Sequence, residues 1–493
     1  MSVTNIAEPE PVVKRSRARI WLVRATISIG GLVLFLLLVA IFFLLHFNIP
    51  SNTAGLAAQT LCSAKFVSGR TDDQVIFDQD IRPQSPAFAL VSAGTDSESK
   101  SATGHFLGMF ERTASLLPGR GCVLDEAPDP AAVAYSPAPT NPQPWPAGDA
   151  ALPPTQWGSG VNTAGLEKVA DQVFNGAGDP DAANARGFAV VQNGKLLIDR
   201  QAPGFQNSTP LLGWSMTKTM NAMLFYKRVM TTKFDMNTYV VDAFPAGRAP
   251  DWVQQWRQDP QKSKITVADV VFMRTGLDME DDYGPTARVV QMLYGEPSMS
   301  GYAASQPMLN APGTTWAYST GTSDILSAIT RATFATDQQY WAYAQQELFA
   351  PIGVKTGTFA TDTDGTWVGG SYMWADTADW ARLGQLMLND GNWNGQQVIP
   401  SGWWKLASTP AMPQGDGHGY GAQTWIPGQP GNGECSAYPG VPADTLSMDG
   451  HYGQVVAMIP SRNAVIVRLG WTIDSSKFDQ CQLISDVVAN LAK

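Results

Sequence analysis

Histidine and cysteine are scarce in this sequence, with four of each among 493 residues. No two cysteines have Cys-x-x-Cys spacing, and His46, His105, His418 and His451 lie far apart, so no zinc-ligand pattern is present and no metal is expected. Charge is sparse as well: 15% of residues are charged and the net charge is −10. The basic excess is confined to the first 24 residues, where Lys14, Arg15, Arg17, Arg19 and Arg24 face two acids. An acidic remainder lacks the basic footprint of a nucleic-acid binder. Internal repeats are missing too.

One long apolar run is present. No side chain is charged from residue 27 to residue 45, and the apolar stretch 25–47 is long enough to cross a bilayer as a helix. It exceeds the core of a secretory signal, and its bulky end, Phe42-Phe43-Leu44-Leu45-His46-Phe47, offers no small-residue cleavage site. The expectation is an uncleaved single-pass anchor; a signal cleaved at Ala57-Ala58 is the alternative. The basic cluster before the run keeps the amino terminus cytoplasmic and makes the protein extracytoplasmic, or periplasmic in a two-membrane cell. Cys62, Cys122, Cys435 and Cys481 all fall on that exported side. They are expected to form two disulfides, with sequence order favouring 62–122 and 435–481 among three connectivities.

The chain divides into a basic segment (residues 1–24), the anchor (25–47), a small extracytoplasmic region (48–125), a Pro/Ala-rich linker or strap (126–160) and a main domain (161–493). In the small region, Gln74-Val75-Ile76-Phe77 hints at a strand and Phe106-Leu107-Gly108-Met109-Phe110 at a helix. Within the main domain, Leu166, Val169, Ala170, Val173 and Phe174 recur at helical spacing. Residues 187–192 and 195–199 flank Asn193-Gly194, a strong hairpin signal. Helix-rich sequence then runs to about residue 388, and a late hairpin, 453–459 with 464–471, precedes a final helix over about 477–491. Strands at both ends with helices between predict an α+β fold: an antiparallel sheet of chain-distant strands, flanked by helices, plus a mostly helical subdomain.

Chemistry concentrates in Gly213-Trp214-Ser215-Met216-Thr217-Lys218. A helix beginning near Ser215 puts Lys218 one turn along on the same face, so its amine reaches the serine hydroxyl. Serine must give up its proton to attack, and a lysine can accept it. No Gly-x-Ser-x-Gly elbow surrounds Ser215, because Thr217 occupies the last glycine position, which disfavours a Ser-His-Asp triad. A second Ser-x-x-Lys, Ser97-Glu98-Ser99-Lys100, lies in a polar stretch without following periodicity and reads as a loop. Tyr318, just before a predicted helix, is the candidate proton donor, its pKa expected to fall beside the lysine cation.

Three segments in order, Ser215-Met216-Thr217-Lys218, Tyr318-Ser319-Thr320 and His451-Tyr452-Gly453, resemble the motifs of penicillin-recognising serine hydrolases. The likeness is strongest to class C β-lactamases, DD-peptidases, related esterases and 6-aminohexanoate oligomer hydrolases, over about residues 160–493. Supporting stretches run over residues 265–277 and 380–391, with Trp393-Asn394-Gly395 after the second. The resemblance implies a covalent acyl-enzyme on Ser215, Lys218 as base, Tyr318 as proton donor, and an oxyanion held by the N–H groups of Ser215 and Gln454, with no cofactor. His451, Gly453, Tyr283 and Trp316 are the expected substrate-side residues for a small amide or ester. His451 stands where lactamases and peptidases carry lysine, Thr320 replaces a common asparagine, and no Glu-x-x-Leu-Asn motif exists. A β-lactamase or DD-peptidase is the sibling alternative; a non-catalytic envelope protein is the alternative from another class.

Overall fold

The structure is a computed structural model that describes residues 17–129, 136, 141–179, 181–230, 235–279, 281–412 and 418–493. It has two compact units, Met1–Pro50 and Ser51–Lys493. Helix α1 (Arg17–His46) carries a 19-residue segment, Ser28–His46, of mean hydropathy 2.9 with no part buried. That helix is long and apolar enough to span a membrane, and a signal sequence would meet the same criterion.

Helix α2 (Ile49–Cys62) leads into an antiparallel meander, β1 (Val91–Asp96), β2 (Ser101–Phe106), β3 (Phe110–Leu117) and β4 (Gly121–Leu124). Gly104 lets α2 lie close on β2, since a β-carbon there would sit 2.3 Å from the Ala54 carbonyl oxygen. A disulfide between Cys62 and Cys122 ties α2 to β4, and the second joins Cys435 to Cys481; both follow sequence order. The local hints in this region are reversed. Residues 73–76 are helical because the Asp72 side chain caps them, accepting from Val75 N–H, and π-helix follows over residues 77–81. Residues 106–110 are a hairpin turn, with Leu107 and Gly108 both at positive φ. The second Ser-x-x-Lys forms the β1–β2 turn.

The described part of the proline-rich stretch is held against the main domain. Trp145 is buried edge-on to Trp393, and Arg382 donates to the Gly148 carbonyl at 2.6 Å.

In the main domain, α3 (Thr163–Val173) precedes β5 (Ala185–Gln192) and β6 (Lys195–Gln201). Asn193 and Gly194 turn that hairpin with φ of 53° and 69°. Strand β7 (Leu211–Leu212) leads to the helices α4 (Met216–Met230), α5 (Asp251–Gln258), α6 (Val267–Val271), α7 (Arg288–Gly295), α8 (Met299–Ser305) and α9 (Thr320–Ala332). There follow β8 (Thr358–Phe359), β9 (Met373–Ala375), α10 (Thr377–Leu388) and a small hairpin, β10 (Asn392–Trp393) with β11 (Gln396–Gln397). Last come β12 (Leu446–Gly450), β13 (Gln454–Ile459), β14 (Ala464–Gly470) and α11 (Gln480–Asn490).

Five strands form the central antiparallel sheet in the order β12-β13-β14-β5-β6, so the late strands close onto the early hairpin through β14 and β5. The two-residue period of β13 sends Val455, Ala457 and Ile459 to a core shared with α3 and α11, and Val456 and Met458 to the larger core. Gly384 brings α10 onto that second face, where an added β-carbon would meet Val465 and Val456 at 2.7 and 2.8 Å. A short antiparallel sheet, β7-β9-β8, carries the chain into the Ser215 turn.

Candidate active site

The Ser215 turn is built tightly. Gly213 N–H donates to the Met373 carbonyl at 2.8 Å, and a β-carbon on Gly213 would meet the Trp380 ring at 2.3 Å. Trp214 takes a φ of 47°, a left-handed conformation that a bulky side chain adopts only when its surroundings impose it. That kink leaves Ser215 part-exposed while α4 begins at Met216. Met216, Thr217 and Lys218 N–H groups donate to the carbonyls of Gly213, Trp214 and Ser215, whereas Ser215 N–H finds no acceptor among the described residues. An unused donor at a helix start is suited to a developing negative charge.

Lys218 is 1% exposed, and its Nζ lies 2.8 Å from Ser215 Oγ. The same nitrogen donates to Thr320 Oγ1 at 2.8 Å and to the Gly370 carbonyl at 2.9 Å, with Asp281 Oδ2 at 3.5 Å. The nitrogen therefore has three oxygen partners, with a carboxylate alongside. Gly370 can approach because a side chain there would strike Thr320, 2.5 Å from an added β-carbon.

Tyr318 stands just before the Ser319 cap of α9, whose Oγ accepts from Thr322 N–H at 3.0 Å. Its ring lies 4.6 Å from Lys218 Nζ and stacks on Trp425 at 5.2 Å. The hydroxyl is influenced by both Ser215 and Lys218. Burial raises the Tyr318 pKa and outweighs the lowering by Lys218, so the net direction is opposite to the sequence-based expectation. Trp316 belongs to this side of the site, 6.4 Å from the Tyr318 ring and 5.4 Å from Tyr420.

The third segment lies at the β12–β13 turn. Gly450 abuts the Ser215 turn so closely that a β-carbon on it would fall 2.2 Å from the Gly213 carbonyl oxygen. Gln454 opens β13 opposite Gly450, and its side chain is locked between Gly470 N–H at 2.8 Å and the Gly470 carbonyl at 2.7 Å. Gly453 has a φ of 79°, and its carbonyl accepts from Arg468 at 2.7 Å. His451 lies edge-on to Trp214 at 5.4 Å and stacked on Tyr283 at 4.2 Å. Burial, helped by the Lys218 charge, lowers its pKa to about 4, so the imidazole is neutral at physiological pH. The Tyr283 hydroxyl is buried without a partner among the described residues.

Ser215, Lys218 and Tyr318 thus converge, with His451 and Tyr283 gathered on the Trp214 side and Trp316 on the Tyr318 side. Sequence reasoning missed Asp281 and Gly370. Asp281 stands in the acidic run beside Tyr283, yet no spacing rule links it to Lys218 at a sequence separation of 63.

A β-lactamase family model matches residues 169–470, more than half of the chain. No curated protein sequence matches it. Among solved structures, one provisionally named a 6-aminohexanoate-dimer hydrolase from Bacillus anthracis aligns with a TM-score of 0.51 at 18% identity, over 64% of this chain and 81% of its own. A protein provisionally named a β-lactamase from Bacteroides dorei aligns at 0.51 and 15% identity, over 67% and 99%. EstCE1, a hydrolase with promiscuous acyltransferase activity, aligns at 0.50 and 14%, over 66% and 98%. At these identities the structural likeness establishes the fold, and the family match establishes membership: the chain belongs to the β-lactamase family and is a serine hydrolase.

Proposed function

We propose that the protein is a membrane-anchored hydrolase that cleaves amide or ester bonds through an acyl-enzyme on Ser215, of the 6-aminohexanoate-oligomer-hydrolase and esterase kind. The observation that carries this reading is the buried Lys218 amine 2.8 Å from a part-exposed Ser215 hydroxyl. Ser215 Oγ attacks the substrate carbonyl carbon while its proton passes to the Lys218 amine. The resulting oxyanion accepts from Ser215 N–H and Gln454 N–H. Tyr318, a hydroxyl that burial keeps protonated, donates to the leaving nitrogen or oxygen and draws its proton back through Lys218. Water then enters by the reverse path and releases the acid.

The neutral His451 supports substrates without a carboxylate at that position, since it offers no cation where a lysine would. Tyr283 and Trp316 supply the aromatic walls on either side. Helix α1 and the two disulfides support an anchored protein whose catalytic domain is extracytoplasmic, in the periplasm of a two-membrane cell.

The test uses the full chain in detergent, wild type beside Ser215→Ala, with an ester panel, a linear aminohexanoate dimer and a chromogenic cephalosporin, following intact mass for acylation. Turnover of an ester or the dimer by wild type alone is expected. Preferential cephalosporin hydrolysis would assign it to the lactamase sibling instead, and a folded wild type that is never acylated would sink the hydrolase reading.

A further inference from the structure

We infer that Asp281 is a positioning residue that holds Lys218, through the Thr320 hydroxyl, against Ser215. The inference rests on the proposed roles of Ser215 and Lys218 and adds a residue to them. Lysine carries its amine on a flexible four-carbon stem, so a fixed position needs fixed acceptors. Gly370 supplies one through its backbone. The other, Thr320 Oγ1, is a hydroxyl that can rotate and could equally donate its hydrogen elsewhere.

Asp281 removes that freedom. Its Oδ2 lies 2.5 Å from Thr320 Oγ1 and its Oδ1 accepts from Thr320 N–H at 2.7 Å. With the single hydroxyl hydrogen committed to the carboxylate, the Thr320 lone pairs are left facing Lys218 Nζ at 2.8 Å. The carboxyl group is 7% exposed and lies 3.5 Å from the same Nζ, so it borders both the amine and its threonine partner. Capping α9 is not its main task, because Ser319 already caps that helix. The loop that bears Asp281 is pinned a second time by Tyr283 stacked on His451, so one short segment braces the lysine and the third motif together.

The test is the rate at which a fluorophosphonate probe acylates the full-length protein, resolved into a limiting rate and an apparent affinity. The comparison covers wild type, Ser215→Ala, Asp281→Asn, Thr320→Val, Thr320→Ser and the double variant Asp281→Asn/Thr320→Val. Wild type should label and Ser215→Ala should not. Asp281→Asn and Thr320→Val should each slow the limiting rate about 10- to 100-fold with affinity unchanged, the range expected for losing a charge-assisted hydrogen bond. The double variant should be no slower than the slower single one, because both act on one amine. Thr320→Ser, which keeps the hydroxyl, should label close to wild type.

An Asp281→Asn or Thr320→Val protein that labels at the wild-type rate overturns the inference and leaves the Ser215 reading standing. So do losses that multiply in the double variant, or that appear in affinity or in melting temperature rather than in the limiting rate. Should Asp281→Asn fail to fold, the Thr320→Val and Thr320→Ser pair decides alone. Failure of wild type to label defeats the Ser215 reading and this inference with it.

Discussion

Tyr318 and His451 show how burial sets what each residue can do. A tyrosine whose pKa is raised holds its proton until a basic leaving group takes it, so it matters most where the leaving group is poor. Tyr318→Phe is expected to lower kcat about 100-fold or more on an amide and much less on a nitrophenyl ester, whose phenolate leaves unaided. Equal losses on the two substrates would show that Tyr318 does not deliver that proton. His451, at about 4, is already neutral across the working range. His451→Gln should therefore leave the shape of the kcat/KM profile unchanged between about pH 5 and 8, even if its level drops. Ser215 and Lys218 were legible because three positions on one helix fix their neighbourhood before any folding is known. Asp281 and Gly370 were not, since their proximity to Lys218 depends on how α4 and α9 pack and on a glycine allowing the approach. The reversed direction at Tyr318 has the same origin: a nearby charge can be read from a motif, whereas burial is a property of the packed site.

Among elements, the β12–β13 turn and the strand into Ser215 meet backbone to backbone. Gly450→Ala would place a methyl 2.2 Å from the Gly213 carbonyl oxygen, an atom that cannot swing aside as a side-chain tip could. The expected result is a loss of about 1–3 kcal/mol in stability and at least about 10-fold in kcat/KM, because the displaced backbone carries Ser215. Gly94→Ala on β1, which meets nothing within 4 Å, is the control and should change stability by less than about 0.5 kcal/mol. Denaturant melts and steady-state kinetics on the two variants would check this. The long elements of the main domain were legible, since Asn193-Gly194 and the apolar spacing of α3 are strong local signals. The small region misled because its fragments are short: a cap from Asp72 outweighs the strand propensity of Val75 and Ile76, and two left-handed residues turn what reads as an apolar helix face.

At the scale of the molecule, the region before the proline-rich stretch completes the catalytic domain. Arg186 of β5 pairs with the buried Asp80, Trp471 donates to the Asp80 carbonyl at 3.1 Å, and Tyr452 donates to Gln84 at 3.0 Å beside His451. Arg120 reaches the Asp362 carbonyl at 3.1 Å. The carboxyl of Asp362 accepts from Met299 and Thr366 N–H groups, and burial pushes it up to about 7 despite the Arg331 charge. Burial likewise raises Asp449 to about 7 and Asp199 to about 6. An unfolded carboxyl titrates near 4, so over the interval from about 4 to 7 the folded chain binds more protons at these sites than the unfolded chain does. Their contribution to stability is complete below the unfolded value and is lost as pH rises through the folded one. His451 works the other way: folded at about 4 and unfolded near 6.5, it contributes above that interval and is lost as pH falls through it. These carboxyls, with Asp324, Asp376 and Glu434 raised by burial in the same direction, outnumber the one imidazole, so the melting temperature should fall as pH rises from about 5 to 7.5. Calorimetry across that range checks it, and Asp362→Asn, which cannot ionise, should flatten the slope. A melting temperature that climbs with pH, or a slope untouched by Asp362→Asn, would mean that Asp362 reaches solvent where Arg120 of the early region packs beside it.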